Sequence, residues 1–357
     1  MNIFREDLEV KPEIKLKMPE RKYMMNLNES SINPIQVLPE QMMKALQSVQ
    51  LNRYVSGVTS QLKKQLATYV GYGITEEQII FGNGVDEMLY FLFTAVRATP
   101  DSYALSLAPS YFDYHTYSGC VGLNMEFVDF YRDSKFSFST AEYLQRLNHP
   151  LCKLGIICNP NNPTGHLIPE TQILEILRHT DKLMLLDETY FEFSDVTHVH
   201  FLSEFSNIVI ARSFSKSFSA AGLRFGYFIS SEENIKYLSK VMPVFHLSIL
   251  IQTLALEILN NKELFQENNR QCRKEKDRIR KRMQEKNVIV DETFTNFLTF
   301  SLGEKSDRFY HFLLDNDISL RPVGAHPILA NHLRVTVSDE ESNNAFLRAL
   351  DSFLSLP

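Results

Sequence analysis

The stretch Leu183-Met184-Leu185-Leu186-Asp187-Glu188-Thr189-Tyr190 decides the fold. Four apolar residues in a row, without polar alternation, fit a strand covered on both faces of a sheet. The abrupt change to Asp-Glu-Thr then puts polar groups at the carboxyl end of that strand. Comparable short runs occur at Ile79 to Phe81, Tyr103 to Leu107, Leu154 to Cys158 and Ile208 to Ile210. Helical patterns stand between and around them, at Pro39 to Val49, Thr59 to Val70, about Val85 to Arg97, and Pro169 to His179. Strands alternating with helices argue for an α/β fold with a mostly parallel sheet.

The pattern changes after about residue 230. Ile249 to Leu259 reads as an apolar helix. Asn261 to Lys286 reads as a long charged one, with ten Lys/Arg against five Asp/Glu. That run fits a solvated face, with Leu264, Phe265, Ile279 and Met283 turned inward, better than it fits an anion site. Strands at Phe297 to Ser301 and Leu333 to Val337 then mix with helices at Lys305 to Leu314 and Glu340 to Phe353. The expected organisation is a polar, irregular arm (1–35), a large domain (36–240) and a smaller α+β domain (241–357).

Composition excludes several classes. The net charge of -6 provides no basic field for nucleic acid. No stretch approaches the ~20 apolar residues of a membrane span, and residues 1–20 contain no apolar run like that of a signal peptide. Cys120, Cys152, Cys158 and Cys272 are widely spaced, as reduced thiols of a cytoplasmic protein are. The ten histidines include His198 and His200, but no helical carboxylate–histidine spacing, so no metal is expected.

Chemistry is concentrated in four segments: Gly82-Asn83-Gly84-Val85-Asp86-Glu87, Asn159-Pro160-Asn161-Asn162-Pro163-Thr164-Gly165, Asp187-Glu188-Thr189-Tyr190, and Ser213-Phe214-Ser215-Lys216 with Gly222-Leu223-Arg224-Phe225-Gly226. Each alone is ordinary; their order and spacing are not. A pyridoxal phosphate site needs a lysine for the imine and an acid on the pyridine nitrogen. Asp187, at a strand's carboxyl end, faces the crevice where α/β sheets bind ligands. Tyr190 and Asn162 are placed to donate to a ring oxygen. A phosphate needs backbone N–H groups and a cation. The Gly82-x-Gly84 turn opens a helix, Ser213 and Ser215 add hydroxyls, and Arg224 adds a planar fork. Gly82 and Gly84 also fit a plain tight turn.

The S-x-S-K…G-L-R-x-G pattern and N-N-P-T-G together resemble the fold-type I, class I/II aminotransferases. They are most similar to the histidinol-phosphate aminotransferase subgroup, from about Asn26 to Asp339. The resemblance implies an aspartate aminotransferase-like architecture: a large domain with a mostly parallel seven-stranded sheet flanked by helices, plus a smaller α+β domain. It implies pyridoxal phosphate as cofactor, with Lys216 as Schiff-base lysine and proton shuttle. It further implies Asp187 on the pyridine nitrogen, Tyr190 and Asn162 on the ring oxygen, and Tyr111 stacked on the ring. A core tyrosine is the other reading of Tyr111. Gly84, Val85 and Asp86 match the backbone phosphate turn. Tyr54 matches a tyrosine that reaches the cofactor phosphate of a neighbouring subunit, which makes the expected enzyme a homodimer with shared sites. Arg334 resembles the arginine for a substrate carboxylate, and Arg321 the subgroup's extra arginine for a substrate phosphate.

The implied reaction is transamination between L-histidinol phosphate and 2-oxoglutarate, in histidine biosynthesis. Departures keep other donors open. Pro12-Glu13 stands where the subgroup has Pro-Tyr, and Asn28-Glu29-Ser30-Ser31 replaces the usual N-E-x-P. The alternatives are a threonine-phosphate decarboxylase-like lyase and an aminotransferase for an aromatic or specialised-pathway amino acid. A cofactor-binding sensor is the non-enzyme alternative, and Lys216, Asp187 and Arg334 together argue against it.

Overall fold

The computed structural model describes residues 20–54 and 57–356. Thirteen strands are seen among them: β1 (Tyr23–Met24), β2 (Ile79–Gly82), β3 (Tyr103–Ala108), β4 (Asn124–Asp129), β5 (Cys152–Cys158), β6 (Leu183–Asp187), β7 (Ile208–Ser213), β8 (Gly226–Ser230), β9 (Ile289–Val290), β10 (Phe297–Ser301), β11 (Ile318–Ser319), β12 (Arg321–Pro322) and β13 (His332–Thr336). Seven form the central sheet in the order β2-β8-β7-β6-β5-β3-β4. Only β8 runs against the others, through its antiparallel pairs with β2 and β7. The remaining pairs are parallel. The expected α/β architecture is therefore the observed one.

Both faces of this sheet are covered, which is why its inner strands read as unbroken apolar runs. Every residue of β7 and β8 is buried. One covering helix, Gly84–Val96, buries Val85, Met88, Leu89, Leu92 and Phe93, the three-and-four spacing of a single apolar stripe. Asp86 and Glu87 lie in its first turn, where the helix dipole favours negative charge. Two strands of this seven-stranded sheet escaped the sequence reading. β4 is an edge strand with only Val128 buried, so its apolar signal is weak. β8 lay hidden inside the glycine-arginine motif.

A four-stranded antiparallel sheet, β12-β13-β10-β9, builds the C-terminal part. The helices Ser306–Asp315 and Glu340–Leu354 accompany it. A separate apolar cluster fills this part, including Phe300, Phe309, Val335, Phe346 and Leu350. The helix Ile249–Asn260 sends Ala255, Ile258 and Leu259 into the larger cluster instead. The long helix Lys262–Glu285 contributes Phe265 to the larger cluster and Ile279 and Met283 to the smaller. We therefore propose that the lobes divide along this helix rather than at residue 240.

From residue 20 on, the arm is more ordered than its polar sequence predicts. Tyr23–Met24 pairs in parallel with Ile318–Ser319, and Met25 is fully buried in the smaller cluster. Pro34–Val37 forms a short helix whose first turn is capped by the Asn33 side chain. Pro12-Glu13 lies outside the described residues.

Candidate active site

The sheet brings the four motif segments to one edge. Asp187, the last residue of β6, is in register between Cys158 of β5 and Ala211 of β7. Ser213, Gly226 and Gly82 lie across from one another on β7, β8 and β2. The loops leaving this edge carry Asn162, Tyr190, Lys216, Arg224 and the glycine turn.

Asp187 is buried. Its Oδ1 accepts from the Thr189 backbone N–H at 3.0 Å and hydroxyl at 2.6 Å. Its Oδ2 accepts from the Tyr114 hydroxyl at 2.5 Å. Burial pushes this carboxyl up, against the pull of those donors. No cation pairs with it among the described residues. A carboxylate held this way is solvated by dipoles but not neutralised, which leaves it ready for a cationic partner. Tyr114 also sits edge-on to Tyr111, with ring centroids 5.3 Å apart.

Lys216 follows β7 and is partly buried. Its ammonium donates to the Leu27 carbonyl at 2.9 Å. Burial first, then the positive charges of Arg334 and Arg224, lower it to about 8, with Glu29 and Asp86 opposing. A lysine in that range has a substantial neutral fraction near neutral pH, which a nucleophile or proton carrier requires.

At the glycine turn, Gly84 opens its helix at φ +84°. A Cβ there would lie 2.6 Å from an Arg224 Nη atom, and one on Gly226 would lie 2.6 Å from the Val85 nitrogen. Glycine at 226 permits a backbone approach that no side chain allows, and glycine at 84 permits the positive φ and leaves room for the Arg224 guanidinium. The first-turn N–H groups of Gly84, Val85 and Asp86 are thereby presented beside a guanidinium. Arg224 bonds Asp86 at 2.8 Å, and Tyr111 donates to the same carboxylate at 3.0 Å. Ser213 and Ser215 are buried alongside, the Ser213 hydroxyl accepting from the Ser215 N–H at 3.1 Å.

Arg334 comes from the other sheet. It donates to the Asn162 side-chain oxygen at 2.6 Å and to the Asn26 carbonyl at 3.1 Å. Its guanidinium lies 5.1 Å from the Phe297 ring centroid. Its Nε is buried without a partner. Burial, with Arg321 nearby, lowers it to about 10. Arg321 is its direct cross-strand neighbour, and Arg321 is exposed. Neither arginine meets a carboxylate among the described residues. Like charges directly opposite destabilise a sheet, so this pair is suited to an anion that none of the described residues supplies as an ion pair.

Tyr190 is buried, its hydroxyl accepting from the Asn28 amide at 2.8 Å. Burial pushes the phenol up to about 12, against the Arg334 charge and that hydrogen bond. Tyr54 joins none of these groups. It is 80% exposed and stacks on Phe245 at 4.8 Å.

Sequence reading missed Tyr114, Thr189 and Asn28. Tyr114 carried a faint signal, three residues after Tyr111 at the start of a helix. It also missed the framework behind Asp187. There Glu188 accepts from Arg212 at 2.9 and 3.2 Å and lies 3.0 Å from the His198 ring. All three are buried. Although burial pushes the Glu188 carboxyl up, Arg212 and His198 hold it low. His198 thus has a structural partner. Among the described residues, no group of three His, Cys, Asp or Glu is placed to hold a metal.

Residues 22–350 match the family profile of aminotransferase class I and II. The chain belongs to this family. It is 31% identical over 359 residues to the histidinol-phosphate aminotransferase of Caldanaerobacter subterraneus subsp. tengcongensis, covering 99% of each chain. It is 32% identical to that of Ruminiclostridium cellulolyticum over 338 residues, 92% of each. The fold matches the histidinol-phosphate aminotransferase of Sinorhizobium meliloti, solved with pyridoxal-5'-phosphate, at a TM-score of 0.87 and 20% identity, covering 99% and 98% of the two chains. Among the described residues no helix is long and apolar enough to cross a membrane.

Proposed function

We propose that this aminotransferase uses pyridoxal phosphate held on Lys216 and takes L-histidinol phosphate as amino donor and 2-oxoglutarate as acceptor. The observation that carries the reading is a carboxylate without a cation among the described residues and a lysine lowered to about 8 at one end of the central sheet, with Arg334 reaching Asn162 from the smaller sheet and Arg321 beside it. Relatives with that activity at 31–32% identity support the substrate.

The residues fit the cofactor. Asp187 lacks the cation that a protonated ring nitrogen would supply. Gly84, Val85 and Asp86 offer first-turn N–H groups to a phosphate, beside Arg224 and the hydroxyls of Ser213 and Ser215. Tyr111 and Tyr114 wall the space next to Asp187, and Tyr111 is the ring we assign to stacking. When bound, the cofactor supplies an electron sink that acidifies the substrate α-carbon.

The chain's own groups do the rest. Lys216 would hold the cofactor, and its neutral amine would carry the substrate α-proton. Its lowered pKa raises the share of neutral amine available to accept. Tyr190 and the amide of Asn162 donate to the ring oxygen. The Asn162 oxygen is occupied by Arg334, which turns its NH₂ outward. Arg334 and Arg321 together suit both substrates, since histidinol phosphate carries one anionic phosphate and glutamate two carboxylates.

Tyr54 belongs to a second copy's site in this reading. Its exposure, with Leu51, Val244 and Phe245 also exposed, supports a homodimer whose sites are completed across the interface. The four cysteines, kept as thiols, fit a reducing cytoplasm.

The test is a half-reaction. Protein loaded with pyridoxal phosphate is mixed with L-histidinol phosphate and no keto acid, and its visible absorbance is followed. Loss of the lysine-bound band supports the reading. An unchanged spectrum, with glutamate still converting the cofactor, discards histidinol phosphate as donor. Release of carbon dioxide from a phosphorylated amino acid would establish the lyase instead.

A further inference from the structure

Three consecutive arm residues each touch a different member of the site. Asn26 offers its carbonyl to Arg334, Leu27 offers its carbonyl to Lys216, and Asn28 offers its side chain to Tyr190. The third contact differs in kind, because it involves a hydrogen-bond direction that can be deduced.

Asn28 is buried and left-handed, at φ +56°. Its backbone N–H donates to the Thr336 hydroxyl oxygen at 2.9 Å. The Thr336 proton is then free to donate, and the Asn28 side-chain oxygen lies 3.3 Å from it. In the structure the amide oxygen faces Thr336 and the NH₂ faces Tyr190, an arrangement in which each donor meets an acceptor. The Asn28 carbonyl is held separately by the Asn296 side chain at 3.0 Å. In that arrangement the amide donates to the Tyr190 oxygen at 2.8 Å. The phenol oxygen therefore accepts from Asn28, and its single proton must point elsewhere.

We propose that Asn28 is a positioning residue that aims the Tyr190 hydroxyl proton into the site. This rests on the reading of Tyr190 as the donor to the cofactor's ring oxygen. With Asn28 in place, Tyr190 has one proton and one direction in which to give it. Arg334, Asp187 and Cys158 are the other titratable groups acting on this phenol. None of them supplies a donor that could replace the amide among the described hydrogen bonds.

Two substitutions separate positioning from support of the fold. Asn28→Asp keeps the shape, and aspartate tolerates a left-handed backbone. It reverses the bond, because a carboxylate accepts the Tyr190 proton. Asn28→Gly tolerates the same φ and removes the amide without capturing the proton. Full-length protein loaded with pyridoxal phosphate is titrated, following the pH midpoint of its visible absorbance, and melts of the cofactor-free proteins are compared. Losing the Tyr190 donor leaves the ring oxygen more basic, so the midpoint rises. The expected result is a rise of about one pH unit or more in Asn28→Asp, with a smaller rise in Asn28→Gly. The ratio kcat/KM falls about tenfold or more in the aspartate variant. A purely structural role gives the reverse order, with Asn28→Asp near wild type and Asn28→Gly the more damaged, and that order overturns the proposal. An unchanged midpoint in Asn28→Asp, whatever its melt, also overturns it. If the wild-type protein takes up no cofactor on Lys216, the functional reading fails first, a result distinct from either.

Discussion

Asp187 and Glu188 are adjacent, both acidic and both buried, and the structure treats them in opposite ways. Glu188 is given an arginine, a histidine ring and the Thr197 hydroxyl. Its charge is balanced within the fold. Asp187 is given a threonine and a tyrosine, which are donors without charge. Neighbouring side chains at the end of a strand point to opposite faces, so one carboxylate looks into the scaffold and the other toward the crevice. The arginines divide in the same way. Arg212 is paired, with its guanidinium 3.6 Å from the Phe191 ring centroid, whereas Arg334 and Arg321 face each other with no ion pair among the described residues. For Asp187, Arg334 and Arg321, incomplete compensation rather than burial or charge by itself marks the group as open to a ligand; Arg224, paired with Asp86, does not follow this division.

Lys216→Met is expected to have the largest effect, leaving no measurable turnover in a coupled transamination assay. The acid pair gives the sharper contrast. Asp187→Asn is expected to lower kcat/KM by ~10²–10³, the scale of losing one preorganised electrostatic partner. Its melting temperature in the cofactor-free protein should hold or rise, because a costly buried charge is gone. Glu188→Gln leaves Arg212 buried with no full counter-charge and is expected to destabilise by about 3–5 kcal/mol in denaturant titrations. If Glu188→Gln were the stable, inactive variant and Asp187→Asn the unfolded one, the division drawn above would be wrong.

The arginine pair extends the comparison to a smaller effect. Arg321→Gln is expected to raise KM for the phosphorylated donor about tenfold and to leave kcat nearly unchanged, since an exposed guanidinium contributes on the order of 1 kcal/mol. A fall in kcat with KM unchanged would place Arg321 outside substrate binding.

What was legible in the sequence follows the same division. The strands were legible because their apolar runs are unbroken, and the motif residues because their order is distinctive. Strand β7 was read as ending at Ile210, yet it continues through Arg212 to Ser213. The partner that lets Arg212 stay buried, Glu188, lies 24 residues away. The Tyr114–Asp187 bond spans 73 residues, and a single tyrosine on a helix gives no sign of such a partner. Arg321 and Arg334 were both noted, but their direct opposition depends on the register of β12 against β13. The arm looked irregular because its order comes from bonds to other elements rather than from its own periodicity.

The smallest expected effect concerns Lys216 and pH. Its ammonium is disfavoured in the folded, cofactor-free protein, with a pKa of about 8 against the ordinary 10.5. A lysine lowered on folding binds fewer protons in the native than in the unfolded state between those two values, so stability rises with pH across that window. Below about pH 8 the full cost is present. Above about 10.5 the lysine is neutral in both states and the cost has vanished. Lys216→Met removes the charge at every pH. The variant should therefore be more stable than wild type at pH 7 by about 1–2 kcal/mol, after allowance for the lost bond to Leu27. That margin should shrink steadily as the pH is raised from 8 to 10. Urea titrations of the two cofactor-free proteins at pH 7 and 10 measure it directly. A margin that is the same at both pH values would mean that Lys216 folds with an ordinary ammonium, and the contrast between balanced and unbalanced groups would then rest on Asp187 and the arginines alone.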